Sequence, residues 1–157
     1  MKIMIIYDSV FGNTEKIAKS LGVSLGAQEV KVIRISNVKP DQLTGVQLLV
    51  IGSPTRGFRP TKPITDFLKK IPSNTLKGVK VAAFDTRITI DEKVPFILRF
   101  LSNIFGYAAK PIADKLAEKG GELIVPPEGF IVKGSEGPLK EGELERAAEW
   151  AKQISNS

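Results

Sequence analysis

Residues 5–14 read Ile5-Ile6-Tyr7-Asp8-Ser9-Val10-Phe11-Gly12-Asn13-Thr14. An apolar run, typical of a strand buried on both faces, gives way to a short loop with hydroxyl groups and a glycine, and a helical pattern follows. A loop between a buried strand and a helix N-terminus presents converging N–H groups that suit a phosphate group. The same residue types are common helix caps, so this stretch alone leaves a phosphate cradle and a capped turn as alternatives.

The rest of the chain alternates between strand and helix patterns. Strand patterns cover residues 2–7, 30–35, 48–51, 79–84 and 122–125, with a short extension at 129–133. Helix patterns cover residues 13–25, 60–71, 107–119 and 141–154. Alternating strands and helices predict parallel pairing through right-handed crossovers. We therefore predict a single α/β domain over residues 1–157, built as a three-layer, doubly wound sandwich.

Residues 88–105 form an apolar insertion after the fourth strand, longer than the usual connection in such folds. We predict two helical pieces here, with a break near Gly106. The run Val94 to Phe105 has three possible roles: a core helix, a lid over a ligand, or a surface for self-association, a partner or a membrane.

The composition restricts the available chemistry. The 157 residues include no Cys and no His, which excludes thiolate and imidazole chemistry, so redox chemistry requires a bound cofactor. The net charge of +6 favours an anionic ligand or partner, but the basic residues are scattered and we do not expect nucleic-acid binding. The chain contains no signal-peptide core and no run of roughly 20 apolar residues, so we expect a cytoplasmic location.

Three loops should meet where the strands of a doubly wound sheet end, since ligands bind outside their carboxyl ends. They cover residues 8–14, 53–59 and 85–90. In the second loop, Pro54 and Gly57 can hold the main chain rigidly against a planar ring, although a polar turn is the alternative. The third loop combines an acid, a hydroxyl and a cation, for which a weak surface ion pair is the alternative.

These loops, in this order, resemble those of the flavodoxin family. The resemblance rests on Ser9 to Thr14, Gly52-Ser53-Pro54-Thr55-Arg56-Gly57 and Ala83-Phe84-Asp85-Thr86-Arg87, and continues through Phe105-Gly106-Tyr107-Ala108-Ala109-Lys110 and Pro127-Glu128-Gly129-Phe130. It implies a five-stranded parallel sheet in the order 2-1-3-4-5, with noncovalently bound FMN where the strand order reverses.

The resemblance also assigns cofactor-binding residues by position, and it implies no catalytic residue or metal ligand. The phosphate would be held by Ser9, Val10, Phe11, Gly12, Asn13 and Thr14. The isoalloxazine ring would be flanked by Pro54, Thr55, Arg56, Gly57 and Phe58 and by Asp85, Thr86 and Arg87. Typical flavodoxins enclose the ring between a Trp and a Tyr, whereas this chain has Arg56 and Arg87 nearby. We therefore expect Phe58, Phe105 or Tyr107 to supply an aromatic face.

The implied function is electron transfer by FMN between a reductase and an acceptor enzyme. An FMN-dependent quinone or small-acceptor oxidoreductase, and a flavin-free interaction domain, are the alternatives. Positive charge favours the anionic reduced flavin, so the arginines predict a less negative hydroquinone couple than in acidic flavodoxins. The net positive charge of the chain also predicts a redox partner with an acidic docking face.

Overall fold

The computed structural model describes residues 1–26, 29–88, 97 and 106–157. Six strands form one sheet: β1 (Lys2–Tyr7), β2 (Glu29–Arg34), β3 (Leu48–Pro54), β4 (Lys80–Ile88), β5 (Glu122–Leu123) and β6 (Glu128–Val132). Four helices are described in full within these residues: α1 (Asn13–Leu25), α2 (Lys62–Lys70), α3 (Ala109–Glu118) and α4 (Glu143–Ser155). Two short 3₁₀ helices, Ile35–Asn37 and Pro40–Leu43, connect β2 to β3.

The strand order confirms the predicted topology. The sheet runs β2-β1-β3-β4, and β5 and β6 share the fifth position because both pair with β4 in parallel. Between them the chain passes through Pro126 and Pro127, which carry no N–H for a sheet hydrogen bond. The predicted fifth strand and its extension are therefore one strand position, interrupted by prolines.

Helices cover both faces of the sheet, as expected for a three-layer sandwich. On one face, α1 and α4 enclose an aromatic cluster in which Phe84, Phe130 and Trp150 stand edge to face, with each pair of ring centres 6.0 Å apart. The Phe84 ring lies so close to Gly52 that a Cβ there would come within 2.0 Å of it, so only glycine fits. The other face is covered by α2 and α3.

Two of the predicted loop boundaries are wrong. Strand β3 continues to Pro54 and β4 to Ile88, so Ser53 and Asp85 pair with each other inside the sheet. Strand β6 adds a second partner along β4 from Phe84 to Ile88. Pairing on both sides keeps this polar stretch extended, so Asp85, Thr86 and Arg87 belong to a strand rather than a loop.

Part of the predicted apolar insertion can be followed. Helix α3 begins at Ala109, two residues before Pro111, and Gly106 adopts a φ of 70°, which agrees with the predicted break. Of the first predicted piece, Ile97 alone is described: it is helical and 64% exposed. The rest of the run Val94 to Phe105 lies outside the described residues. Within those residues, no helix combines the length and apolar character needed to cross a membrane.

Candidate functional site

A cleft of about 330 Å³ opens at the carboxyl ends of β1, β3 and β4. Most of the sequence-predicted site residues line it: Ser9, Val10, Phe11, Asn13, Thr14, Pro54, Thr55, Arg56, Gly57, Thr86 and Arg87. Gly12, Phe58 and Asp85 do not line the cleft. The volume falls within the range of small-molecule sites in proteins. The three segments named from the sequence thus meet at one edge of the sheet.

The loop before α1 caps the helix and also contains backbone N–H groups that are free to donate hydrogen bonds. Gly12 adopts a φ of 93°, which favours glycine, and the Ser9 hydroxyl oxygen accepts hydrogen bonds from the N–H groups of Gly12 (3.0 Å) and Glu15 (3.4 Å). No hydrogen bond within the described part of the chain uses the N–H groups of Val10, Phe11, Asn13 or Thr14. The cap therefore leaves several converging donors for an anion.

Arg34 and Thr61, which belong to other parts of the fold, form hydrogen bonds to this loop. Arg34, at the end of β2, donates to the Ser9 carbonyl oxygen at 2.8 Å and lies 3.7 Å from the Asp8 carboxylate. The Asp8 carboxylate accepts the Ser9 N–H at 2.9 Å and the Thr61 hydroxyl at 2.6 Å. The loop is thus tied both to β2 and to the start of α2. Sequence reasoning missed Arg34 because it looks like an ordinary polar residue of an edge strand.

Glu15 places a carboxylate in the first turn of α1, close to the free donors. Hydrogen bonding to Lys19 holds the pKa of Glu15 below its ordinary value, and Arg34 lies 3.5 Å from the carboxylate. Burial, followed by the charge of Glu15, raises the pKa of Tyr7, whose hydroxyl donates to Glu15 at 3.2 Å. The negative charge of Glu15 is therefore balanced by two cations beside the loop.

On β4, a completely buried carboxylate supports a cation of the cleft. Asp85 is 0% exposed and accepts hydrogen bonds from Arg87 Nε and Nη2, each at 2.7 Å, and from the Ala109 N–H at 2.9 Å. Burial raises the pKa of Asp85, and Arg87 and the Ala109 N–H oppose this rise without cancelling it. The alternative of a weak surface ion pair is therefore wrong, because one partner is fully buried.

The Arg87 guanidinium also packs against Tyr107 and Gly129. Its central carbon lies 3.8 Å from the centre of the Tyr107 ring, and a Cβ on Gly129 would come within 2.2 Å of it. Arg87 therefore covers one side of the ring of Tyr107, one of the three residues expected to supply an aromatic face. Phe58 lies in a neighbouring depression with Arg59, and Phe105 is outside the described residues.

An exposed aromatic residue does line the cleft. Phe11 is 47% exposed, and the guanidinium carbon of Arg56 lies 5.7 Å from its ring centre. The opposite walls of the cleft are joined by a buried hydrogen bond of 2.8 Å between the Thr14 and Thr86 hydroxyls. Thr55 is also fixed, because its N–H donates to the Thr86 carbonyl oxygen at 2.9 Å.

The segment after β6 closes the cleft on a side that the sequence analysis missed. Ile88, Val132, Ser135 and Glu136 also line it. The Asn13 side-chain amide donates to the Glu136 carbonyl oxygen at 3.1 Å, and Gly137 lies so close that a Cβ there would come within 2.7 Å of Asn13. A signal was present: the strand extension at 129–133 ends at this same edge and runs into a turn with two glycines.

The donors in the cleft fit a phosphate ester that carries a planar ring. Free N–H groups gather at the N-terminus of α1, and Arg56 adds a cation with no ion pair in the described part of the chain. Pro54, Thr55 and Gly57 line one wall of the cleft, and Thr86 lies in the lining on the neighbouring strand. This combination suits FMN, whose phosphate is an anion and whose ring is flat.

Comparisons with known proteins agree with the fold. The model of the flavodoxin family matches residues 5–150. Flavodoxin 2 from Bacillus cereus is 26% identical, with a TM-score of 0.79 and 99% of each chain covered. A flavodoxin from the domain Archaea is 24% identical, with a TM-score of 0.77, covering 99% of this chain and 97% of that one. The rubredoxin oxygen:oxidoreductase of Desulfovibrio gigas is 22% identical, with a TM-score of 0.72, covering 99% of this chain but 35% of that protein.

A comparison with curated proteins gives no significant match. The family model nevertheless spans most of the chain, from the end of β1 into α4. The strand order and the donors beside α1 agree with that match. The chain therefore belongs to the flavodoxin family of FMN-binding electron-transfer proteins.

Proposed function

We propose that this protein is an electron carrier that accepts electrons from a reductase through FMN and passes them to an acceptor enzyme. The observation that carries the proposal is the cluster of N–H groups at the N-terminus of α1, which lie in a cleft at the sheet edge and have no partner in the part of the chain that the structure describes. When bound there, FMN supplies the electron-transfer chemistry that a chain without Cys or His cannot supply itself.

In this proposal, each wall of the cleft has a separate task. The backbone N–H groups of Val10, Phe11, Asn13 and Thr14 bind the phosphate, while Ser9 keeps the loop in shape. The segment Pro54 to Gly57 and the residues Thr86 and Arg87 orient the ring. Phe58 and Asp85 act on the cleft from outside its lining, and Asp85 does so by holding Arg87.

Comparing FMN with riboflavin tests the phosphate site without changing the protein. Hydrogen bonds to a charged group contribute about 1.5–3 kcal/mol each, so two of them predict that FMN binds roughly 100-fold more tightly or better. Fluorescence titration of the apoprotein gives both dissociation constants. Equal affinities would show that the phosphate does not lie at these donors.

Arg56 is the cation that we expect to raise the potential of the bound flavin, since the charge of Arg87 is shared with Asp85. At roughly 6 Å in a water-like dielectric, one charge contributes about 0.7 kcal/mol, or about 30 mV for one electron. Arg56→Gln should therefore lower the midpoint potential by about this amount. Arg59→Gln is the control, because Arg59 is exposed in the same segment but does not line the cleft.

The rim of the cleft suits a partner with an acidic docking face. Val10 and Ile88, which expose 51% and 45% of their surface, line the cleft with exposed Arg56, and exposed Arg59 pairs with Arg56 through the backbone. Steering by these arginines predicts that oxidation of the reduced protein by ferricyanide, an anion, slows as salt is added, whereas oxidation by hexaamminecobalt(III), a cation, does not.

Removing both rim charges should weaken this contrast. The double variant Arg56→Gln/Arg59→Gln lowers the net charge from +6 to +4 and is expected to give a smaller difference in salt dependence between the two oxidants. Lys31→Gln, which removes an exposed charge from edge strand β2, should leave the contrast intact. If the wild-type protein shows no contrast between the oxidants, the acidic-partner proposal fails.

Two further assays separate the carrier from the other functions predicted from the sequence. Oxidation of NAD(P)H with a quinone by the purified protein alone would support an oxidoreductase instead. A colourless preparation that does not bind added FMN would support a flavin-free interaction domain. Contact of the run Val94 to Phe105 with a membrane stays a prediction, and co-sedimentation with anionic liposomes at low salt tests it.

A further inference from the structure

The face of the sheet that carries α2 and α3 contains a second concave site, away from the cleft. The crossover from β2 to β3 is built from two short 3₁₀ helices rather than an α-helix. A groove of about 920 Å³ lies between this crossover and α2. Its volume is within the range of ligand sites and exceeds the cleft's 330 Å³.

The groove is lined by apolar side chains that the core does not fully cover. Most of the partly buried apolar residues packed on this core layer line it: Ile35, Val38, Leu43, Phe67 and Val79. The buried side chains of Val46 and Ile71 also contribute to the lining. The groove follows α2 from Pro63 to Lys70, a length of about 10 Å at the rise of an α-helix, and continues to Ile71.

Two lysines and one aspartate supply the charged side chains of the groove. Lys70 and Lys77 line it and form no ion pair within the described residues. The acidic lining residue, Asp66, binds Lys62 at 2.6 Å, and hydrogen bonding to Lys62 holds the pKa of Asp66 below its ordinary value. The charges of Lys69 and Lys70 also lower this pKa, so Asp66 offsets part of the charge of Lys70. With two lysines and one carboxylate, the lining keeps a net positive charge.

The lysines lie at one end of the groove. Lys70 is in the last turn of α2, and Lys77 lies in the connection from α2 to β4. Both are therefore close to the amino ends of the central strands, whereas the cleft lies at the carboxyl ends. An apolar channel with cations at one end is complementary to a molecule with an alkyl chain and an anionic head.

We propose that this groove binds a small amphipathic anion of the alkyl carboxylate class. The carboxylate pairs with Lys70 and Lys77, and the alkyl chain lies against Phe67 and Val38 along α2. The site is independent of the FMN cleft, so the proposal stands or falls separately from electron transfer.

Titration of dodecanoate into the ¹⁵N-labelled, FMN-loaded protein tests the proposal, with chemical shifts of backbone amides as the readout. We expect saturable shifts at the groove residues Ser36, Thr44 and Thr75. Dodecyltrimethylammonium, which has the same chain and the opposite charge, and acetate, which has no long chain, should bind at least tenfold more weakly. If the cation binds as well as dodecanoate, the proposed pairing with the lysines is wrong.

Matched variants identify the site. Lys70→Gln/Lys77→Gln should weaken dodecanoate binding about tenfold, as expected for two partly exposed ion pairs. Lys69→Gln removes a charge from the same turn of α2 but outside the lining, and should leave the affinity unchanged. Equal losses in both variants would overturn the proposal.

A bulky residue provides a test that does not depend on charge. Thr75 is exposed and lines the groove, so Thr75→Trp should obstruct the groove and abolish binding while the thermal unfolding temperature stays unchanged. Retained binding in this folded variant would overturn the proposal. So would groove shifts that depend on protein concentration without ligand, because a second copy would then occupy the site.

Discussion

Replacing Arg87 by Gln should lower the free energy of unfolding, because the buried carboxylate of Asp85 loses its charged partner. Asp85 is 0% exposed and has Arg87 as its charged partner, bound through two hydrogen bonds of 2.7 Å. Without the guanidinium, Asp85 keeps the Ala109 N–H as its hydrogen-bond donor among the described residues, so its pKa, already raised by burial, rises further. Breaking such a pair from one side costs about 3–5 kcal/mol, and partial exposure of Arg87 places the expectation near 3 kcal/mol.

This cost should depend on pH in a defined direction. The pKa of Asp85 is higher in the folded than in the unfolded state, so its burial is best tolerated below the unfolded value of about 3.9. Stability is lost as the pH rises through the raised folded pKa. The deficit of Arg87→Gln should therefore be small near about pH 4 and reach roughly 3 kcal/mol near about pH 7.

Urea unfolding of the apoprotein at several pH values measures this deficit. Trp150 is the sole tryptophan and is 2% exposed, so its emission reports unfolding. The control Lys110→Gln removes a cation from an exposed pair with Asp114, which is worth less than about 1 kcal/mol. Adding Asp85→Asn to Arg87→Gln removes the uncompensated charge and should restore much of the loss at neutral pH. A deficit that is constant with pH, or equal to that of the control, would refute the reasoning.

Three further substitutions test the packing around the sheet. The buried carboxylate of Glu143 accepts hydrogen bonds from a guanidinium and a backbone N–H, and although burial opposes them, these partners hold the pKa of Glu143 below its ordinary value. Glu143→Gln should therefore lower the free energy of unfolding by about 2 kcal/mol near about pH 7, and this deficit should disappear as the pH falls through the lowered pKa. The control Glu149→Gln, at an exposed position, should cost almost nothing. Gly52→Ala forces a methyl group to within 2.0 Å of an aromatic ring and should cost about 1–3 kcal/mol in urea unfolding, against little for the open Gly134→Ala. Thr86→Val leaves a buried hydroxyl without its 2.8 Å partner and should lower the free energy of unfolding by about 1–3 kcal/mol.

The apolar runs and helical periods predicted most of the fold. Strands β1 and β3 are buried on both faces, so their sequences are almost continuously apolar and easy to recognise. The end of β4 was not recognisable, because Asp85 and Arg87 break that apolar pattern. They belong to a strand since β6 and β3 supply hydrogen bonds on both sides, and no local sequence signal carries that information.

The candidate site also contains residues that the sequence predicted and residues that it did not. The lining residues of the first two segments could be named because topology brings the carboxyl ends of parallel strands together. Arg34 was not predicted, because its hydrogen bond to the Ser9 carbonyl oxygen depends on tertiary structure. The strand extension at 129–133 pointed to the segment that holds Glu136, but not to the contact of the Glu136 carbonyl oxygen with Asn13. Of the three residues expected to supply an aromatic face, Tyr107 carries Arg87 over one side of its ring, and the expectation itself stays a prediction.

The proline interruption of the fifth strand position has a consequence for colloidal behaviour. An open sheet edge can pair with the edge of another chain and start aggregation, and proteins avoid this with short strands, prolines and lysines at their borders. Here one border is divided into β5, with two residues, and β6, with five, separated by Pro126 and Pro127. The other border, β2, carries exposed Glu29 and Lys31. Both borders are therefore poor templates for intermolecular β-pairing, so the fold is protected against edge-to-edge assembly at high concentration.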